Sequence, residues 1–239
     1  MEKLIWSSND YDIFEVGPEA LYEISSFVIS QNYTRHSKRI LSKKDFREIE
    51  YVFNEELEFS KFSILYIVRD KRKKLIGSIR VFKWDKTLIT PMQKLFNISP
   101  NELIDNSVNS NYWHIGRFAI DSSCGIKTVT IFKQLMILAV DPIMKDNNSY
   151  MLAETDTKLL KVMNALGFET SKLSKPIIYL SSETVPIFAT KAGISPFYKR
   201  CYPLIAQKGH KIKPTQKCKN TIEKERNTLL CQSHNLSHF

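Results

Sequence analysis

The chain has 239 residues, of which 43% are hydrophobic, and its 35 Lys and Arg residues against 25 Asp and Glu residues give a formal net charge of +10. With 14 Phe and 10 Tyr residues, this composition supplies the core of one sizeable domain and excludes a wholly disordered chain. The longest apolar runs are much shorter than the ~20 residues that cross a bilayer, and residues 1–6 lack the apolar stretch of a secretory signal.

Two helices are predicted before residue 60. Gly17-Pro18 is typical of a helix start, and the residues that follow it recur at the spacing of one buried helix face. A second helix is predicted over residues 42–52, with Ser42 as its N-cap. The predicted buried face of the first helix consists of Leu21, Ile24, Ser25 and Val28.

A hairpin and a run of alternating strands and helices follow. The apolar runs 63–68 and 75–83, separated by a polar turn, predict two antiparallel strands. Strands that alternate with helices after residue 110 indicate an α/β domain with a mixed sheet. The other predicted elements are one or two short helices over 91–104, a strand over 112–120, a helix over 127–140, a strand over 149–154, a helix that begins at Asp156 or Thr157 and ends at Gly167, and strands over 176–180 and 185–189.

The composition changes near Ile205. Residues 206–239 contain seven Lys and Arg residues against two Glu residues, so they carry half of the net charge. They show almost no apolar periodicity, which is typical of a solvated tail. We therefore predict one domain over residues 1–205 and a basic, disordered tail over residues 206–239. The basic excess indicates an acidic partner, namely nucleic acid, an anionic membrane surface or an acidic carrier protein.

The cysteines and histidines do not form a recognisable metal or disulfide pattern. Four scattered cysteines are too few for a disulfide framework, so we expect reduced thiols and a cytoplasmic location. The tail has a zinc-like composition, but it lacks a C-x-x-C pair. Phosphate-loop, dinucleotide-binding, nucleophile-elbow and zinc-protease motifs are absent from the sequence. We expect no metal and no bound cofactor. The zinc-like tail residues are Cys218, Cys231, His234 and His238.

Two arginines lie inside predicted strands, where a charged side chain is costly. Arg80 falls in the strand over 75–83, and Arg117 falls in the strand over 112–120. A guanidinium group keeps its charge, so inside a sheet it needs carboxylates, carbonyls or a bound anion. The two interpretations are a structural ion pair and an anion-binding site.

His114 lies in the same predicted strand as Arg117. In a regular pleat, these two side chains point to opposite faces of the sheet. A β-bulge at Gly116 would bring both into one cleft. The alternative is that His114 is a packed polar residue of the interior.

Three segments of the chain, in order, resemble the bacterial acyl-homoserine-lactone (autoinducer) synthases. Residues 75–92, LIGSIRVFKWDKTLITPM, resemble the family stretch G-x-x-R-L-L-P-T-x-x-P, and residues 113–121, WHIGRFAID, resemble its W-E-[LIV]-[ST]-R-F-A-V strand. Residues 156–168, which end in Leu-Gly-Phe, resemble a helix of these and other GNAT-superfamily acyltransferases. The resemblance covers about residues 64–190 and extends to the related N-acyl amino acid synthases.

The resemblance implies a fold and a reaction. The fold is α/β (α+β) and GNAT-like, with three layers and a central mixed, mostly antiparallel sheet that is splayed between two central strands and flanked by helices. The reaction is N-acyl transfer from acyl carrier protein or acyl-CoA, as co-substrate, to the amine of an amino acid or a similar small molecule. Backbone amides in the splayed opening would stabilise the oxyanion.

The resemblance also implies roles for single residues. Arg80 and Arg117 would bind an anionic acceptor or support the residues that bind it. Arg117 would also be a catalytic residue. His114 stands where the family has a glutamate, so it is the candidate base, since imidazole exchanges protons near neutral pH. The further substrate-binding residues that the resemblance implies are Trp113, Phe118 and, from the family's acidic stretch, Glu58.

The departures from the family pattern disfavour lactone synthesis and leave two alternatives open. His114 and Gly116 replace a glutamate and a serine, and residues 121–128 lack the superfamily's pyrophosphate loop. The alternatives are a plain acetyl-CoA-dependent N-acetyltransferase, against which the missing loop counts, and a non-enzymatic basic binding protein. Nucleic acid is the least favoured partner because the tail has no dense Lys/Arg run, whereas a membrane surface stays open.

Overall fold

The computed structural model describes residues 2–37, 45–104, 109–126 and 128–206. Ser42, the predicted helix cap, lies outside the described residues, and so does the predicted tail after Ala206, including its zinc-like set. Within the described ranges, no helix is both long and apolar enough to cross a membrane.

Nine strands in the described ranges form one sheet. They are β1 (Lys3–Ser7), β2 (Tyr11–Val16), β3 (Ser63–Asp70), β4 (Leu75–Lys83), β5 (Asn111–Ile120), β6 (Ser149–Asp156), β7 (Ser171–Lys172), β8 (Ile177–Tyr179) and β9 (Ser182–Thr190). Their order is β1-β2-β3-β4-β5-β6-β9-β7, with β8 paired to β9. The central pair β5 and β6 is parallel, and the other pairs are antiparallel. The predicted mixed, mostly antiparallel sheet is confirmed.

Helices cover both faces of this sheet and complete three layers. On one face, α1 packs its predicted apolar side against Leu65 and Ile67 of β3. On the other face, Leu135 and Ala139 of α4 pack against the apolar side chains of β4 and β5 that point towards that face. The helices are α1 (Leu21–Asn32), α2 (Phe46–Phe59), α3 (Pro91–Phe96), α4 (Thr128–Lys145), α5 (Thr157–Ala165), α6 (Lys191–Cys201) and α7 (Pro203–Ala206).

The sheet splays between β5 and β6. The two strands pair from Asn111 opposite Ser149 as far as Ile115 opposite Ala153, and then both continue without pairing to each other. The β3–β4 hairpin and α1 follow the sequence prediction closely, and Asp156 caps α5 by accepting from the amides of residues 158 and 159. The splayed centre that the resemblance implied is therefore present.

Helix α2 is longer than predicted, and its additional residues contribute side chains to the site described below. The prediction ended the helix at residue 52, whereas α2 continues to Phe59 and places Glu55 and Glu56 on its buried side. Two carboxylates at positions that should be apolar interrupt the hydrophobic period on which the prediction rested. They are buried because two arginines of the sheet neutralise them.

Candidate active site

A cavity lies where β5 and β6 separate. Its volume is about 110 Å³, and its wall includes Ile115 of β5 and Glu154 of β6. Val28 of α1 and Met136 of α4 also line it, so the cavity passes through the sheet from one helical layer to the other. A buried water needs only about 10–15 Å³, so the cavity has room for a ligand group of several atoms.

A β-bulge in β5 directs Arg117 towards this opening. Arg80 lies opposite Gly116 and Ser78 lies opposite Ala119, so β5 has one residue more than β4 between these pairs. Arg117 itself has a left-handed backbone, with φ of +52°, which is uncommon for a residue other than glycine. The predicted bulge is therefore confirmed, immediately after Gly116.

Gly116 lets the Arg80 side chain cross the bulged strand. A Cβ atom at position 116 would lie 2.6 Å from Arg80 Nη2, which is closer than real Cβ contacts allow. Glycine is therefore the residue type that lets the guanidinium group lie over the backbone of β5 and reach His114.

Arg80 is buried at the centre of the site, with its side chain 1% exposed. Its Nη1 donates to Glu56 Oε1 (2.6 Å), and its Nη2 donates to His114 Nδ1 (2.8 Å). The guanidinium carbon lies 5.4 and 4.8 Å from the ring centres of Phe59 and Phe82. Burial lowers the pKa of Arg80, against the opposing effect of Glu56. Because an arginine does not deprotonate in proteins, the group stays charged.

His114 is neutral in this arrangement. A guanidinium nitrogen can only donate, so His114 Nδ1 is the acceptor and carries no proton. Nε2 lies 2.7 Å from Glu154 Oε2, and an ionised carboxylate only accepts, so Nε2–H is the donor. The Phe82 ring stacks on the imidazole, with ring centres 5.0 Å apart. Both ring nitrogens of His114 are thus engaged.

Glu154 ends this series of polar contacts at the cavity wall. Its side chain is 9% exposed, Oε2 accepts from His114, and Oε1 is buried without a hydrogen-bond partner among the described residues. An unpaired buried carboxylate oxygen is costly unless a donor reaches it. Sequence reasoning missed this residue, although a glutamate directly after the buried apolar residues 151–153 of a strand was a usable signal.

Arg117 is held by the carboxylates of α2. Its Nε donates to Glu56 Oε1 (2.6 Å), its Nη2 donates to Glu55 Oε2, and Tyr179 also hydrogen-bonds to it. Burial opposes the charge, but Glu56 and Glu55 outweigh burial and raise the pKa of Arg117. These contacts are the ones expected if Arg117 forms a structural ion pair, the first of the two interpretations drawn from the sequence. A role for Arg80 or Arg117 in binding an anion stays a prediction.

Of the three other site residues that the resemblance implied, one lines the cavity and two lie away from it. Phe118 lines the cavity, together with Arg80, His114 and Arg117. Trp113 lies outside the set of lining residues, and its indole donates to an aspartate in the turn after α4 (2.8 Å). Glu58 is exposed and pairs with a lysine of α3 (3.2 Å), also away from the cavity wall. Substrate binding by these three residues stays a prediction.

The sequence and the fold differ in how far they resemble known proteins. No family model matches the sequence, and no curated protein matches it. FeeM, an N-acyl amino acid synthase from uncultured soil microbes, superimposes with a TM-score of 0.52 at 12% identity, over 75% of this chain and 88% of that chain.

Two further structures give similar superpositions. TofI, in a ternary complex with an inhibitor and MTA, has a TM-score of 0.51 at 13% identity, over 78% of this chain and 95% of that chain. An uncharacterized protein from Bacillus halodurans has a TM-score of 0.50 at 11% identity, over 87% of this chain and 97% of that chain. The chain therefore has the GNAT-like fold that the resemblance implied, a fold that an N-acyl amino acid synthase also adopts.

Proposed function

We propose that the protein is an N-acyltransferase that moves an acyl group from a thioester to the amine of a small molecule. The observation that carries the proposal is Glu154, a buried carboxylate at the wall of the cavity between β5 and β6. One of its oxygens has no hydrogen-bond partner among the described residues. A fold shared with an N-acyl amino acid synthase supports the same reaction class.

The proposed reaction needs no nucleophilic side chain. The amine nitrogen attacks the thioester carbonyl carbon, a C–N bond forms, and the C–S bond then breaks to release the thiol. As the C–N bond forms, the nitrogen becomes acidic and Glu154 Oε1 accepts its proton. That proton passes to the departing thiolate, so the products are one amide and one thiol.

We assign His114 the role of positioning Glu154. Its Nε2–H holds Oε2 and leaves Oε1 for the amine, while Arg80 at Nδ1 fixes the tautomer. His114 as the base itself, which the resemblance implied, would require it to release one of these two partners. The two assignments differ in which variant loses the pH dependence of the rate.

The bulge in β5 supplies a candidate oxyanion site. Arg117 and Phe118 have no register partner in either neighbouring strand described here. We propose that their backbone N–H groups donate to the thioester oxygen as negative charge develops on it. The ion pairs between Arg117 and the carboxylates of α2 would keep this backbone in place.

The net charge of the chain is the basis on which we propose the acyl donor. Coenzyme A and acyl carrier protein are both anionic, and a chain with a net charge of +10 attracts either one. A cytoplasmic location stays a prediction.

The experiment is an assay of thiol release from acyl-CoA thioesters of increasing chain length, with and without primary amines, and with mass spectrometry of the amide. We expect amine-dependent release, and a loss of kcat of about 10²-fold or more in Glu154→Gln. The matched control is Glu183→Gln, an exposed glutamate on β9 that is not part of the cavity wall. A strict preference for the acetyl donor would favour the plain acetyltransferase. Absence of amine-dependent release with every thioester would contradict the proposal.

A further inference from the structure

The cavity wall is acidic although the chain is basic. Its charged side chains, together with Glu56, comprise four carboxylates and two guanidinium groups, and His114 is neutral. Lys94 lies 3.7 Å from Glu55 but is itself paired with an exposed glutamate at 3.2 Å. The wall therefore keeps an excess of negative charge. The carboxylates are Glu55, Glu56, Glu154 and Asp156.

The two guanidinium groups have little left to offer a substrate carboxylate. Arg117 is bound by Glu55, Glu56 and Tyr179. Arg80 uses Nη1 and Nη2 within the protein, and its Nε is buried without a hydrogen-bond partner among the described residues. Among the described residues of the wall, a carboxylate that entered the cavity would meet only guanidinium groups that already pair with Glu56.

The excess negative charge is concentrated at Glu154. Glu55 and Glu56 each contact an arginine, and part of the charge of Asp156 is offset because this residue caps the N-terminus of α5. Among the described residues, the neutral His114 is the one hydrogen-bond partner of Glu154. An ammonium group would satisfy Oε1 as donor and as counter-charge, whereas a carboxylate beside it would be repelled.

We infer that the acceptor is a primary amine without a carboxylate next to its nitrogen, such as an arylalkylamine or a diamine, rather than an amino acid. This inference rests on the proposed acyl transfer and narrows its acceptor. The amine would enter as the ammonium ion and bind at Glu154. It must lose one proton to solvent before it attacks, because an ammonium nitrogen has no lone pair, and its second proton passes to Glu154 as the C–N bond forms.

The experiment compares acceptors that differ only in the carboxylate: phenethylamine with phenylalanine, tyramine with tyrosine, and cadaverine with lysine. With one acyl-CoA donor, we expect kcat/KM to favour the amine by about 10-fold or more in each pair. Equal or higher values for the amino acids would overturn the inference. Calorimetric titration of the same pairs without donor gives a readout independent of turnover. If no acceptor is acylated but the amines bind more tightly, the acyl transfer fails and the inference on the ligand stands.

A variant tests the electrostatic cause. Glu55→Gln removes one negative charge and weakens the hold on Arg117 Nη2, so we expect the amine preference to fall several-fold towards the amino acid. The preference is a ratio measured on one protein, so partial loss of folding does not move it. Glu183→Gln, a charge change outside the cavity wall, should leave the ratio unaltered. An unchanged ratio in Glu55→Gln would overturn the inference.

Discussion

At the scale of residues, one carboxylate, that of Glu56, accepts hydrogen bonds from both arginines of the site. Glu56 Oε1 accepts from Arg80 Nη1 and from Arg117 Nε, each at 2.6 Å. Burial on its own raises the pKa of Glu56, but the two guanidinium groups outweigh burial and hold that pKa below its ordinary value. A single side chain of α2 thereby fixes two neighbouring strands and the direction of the bulge.

This pairing predicts a specific response to acid. Because the pKa of Glu56 is lower in the folded chain than the value of about 4.3 in an unfolded one, its stabilisation is present above about pH 5 and is lost as pH falls through the folded pKa. Glu56→Gln should lower the free energy of unfolding at pH 7 by about 3–5 kcal/mol, and further acidification should cost the variant less than the wild type. Urea unfolding from pH 7 down to about pH 3, below the ordinary pKa of a glutamate, measures both. Equal sensitivity to acid in the two proteins would contradict the assignment.

At the scale of elements, sequence patterns succeeded where one surface was consistently apolar. Helix α1 and the β3–β4 hairpin keep their hydrophobic periods and were predicted well. Strands β1 and β2 were not predicted, and neither was α6, which contains Pro196 in its interior. The glutamates of α2 and the arginines of the strands each break a hydrophobic pattern. The glutamates and the arginines pair only when α2 packs on the sheet, so the sequence does not reveal the pairing. The site could therefore be predicted in part, namely the bulge and the arginines, but not Glu154.

The short helix α3 supplies a test of how elements shape the cavity. Thr90 caps it, with Oγ1 accepting from the Gln93 amide (3.2 Å), and the helix carries Pro91 and Leu95 to the cavity wall. Thr90→Ala should cost about 1 kcal/mol of stability and raise KM for the acceptor more than it lowers kcat. The exposed Thr87→Ala is the matched control. Equal effects of the two substitutions on KM would show that α3 does not shape the acceptor site.

At the scale of the whole molecule, charge is unevenly distributed. The cavity wall is acidic, while residues 206–239 carry half of the net charge of +10. A cavity of this sign suits an ammonium acceptor, and a basic chain suits an anionic donor. The two substrates would thus be attracted to different parts of the molecule.

Removal of residues 207–239 tests the predicted separation of domain and tail. Their composition offers little apolar surface to bury, so we expect the melting temperature of the shortened chain to stay nearly unchanged. If these residues attract an acidic carrier protein, turnover of a carrier-bound donor should fall more at low than at high salt. Calorimetry and rates at two ionic strengths measure these effects. A large drop in melting temperature would show that residues 207–239 contribute to the fold.

The most direct test of the account is the pH dependence of kcat/KM for amide formation in the wild type, Glu154→Gln and His114→Ala. If Glu154 accepts the proton and His114 only positions it, the acid limb of the profile disappears in Glu154→Gln. In His114→Ala the limb persists at a reduced plateau, because the carboxylate remains but is less well oriented. A limb that survives in Glu154→Gln and vanishes in His114→Ala would assign the base to His114 and contradict the central claim.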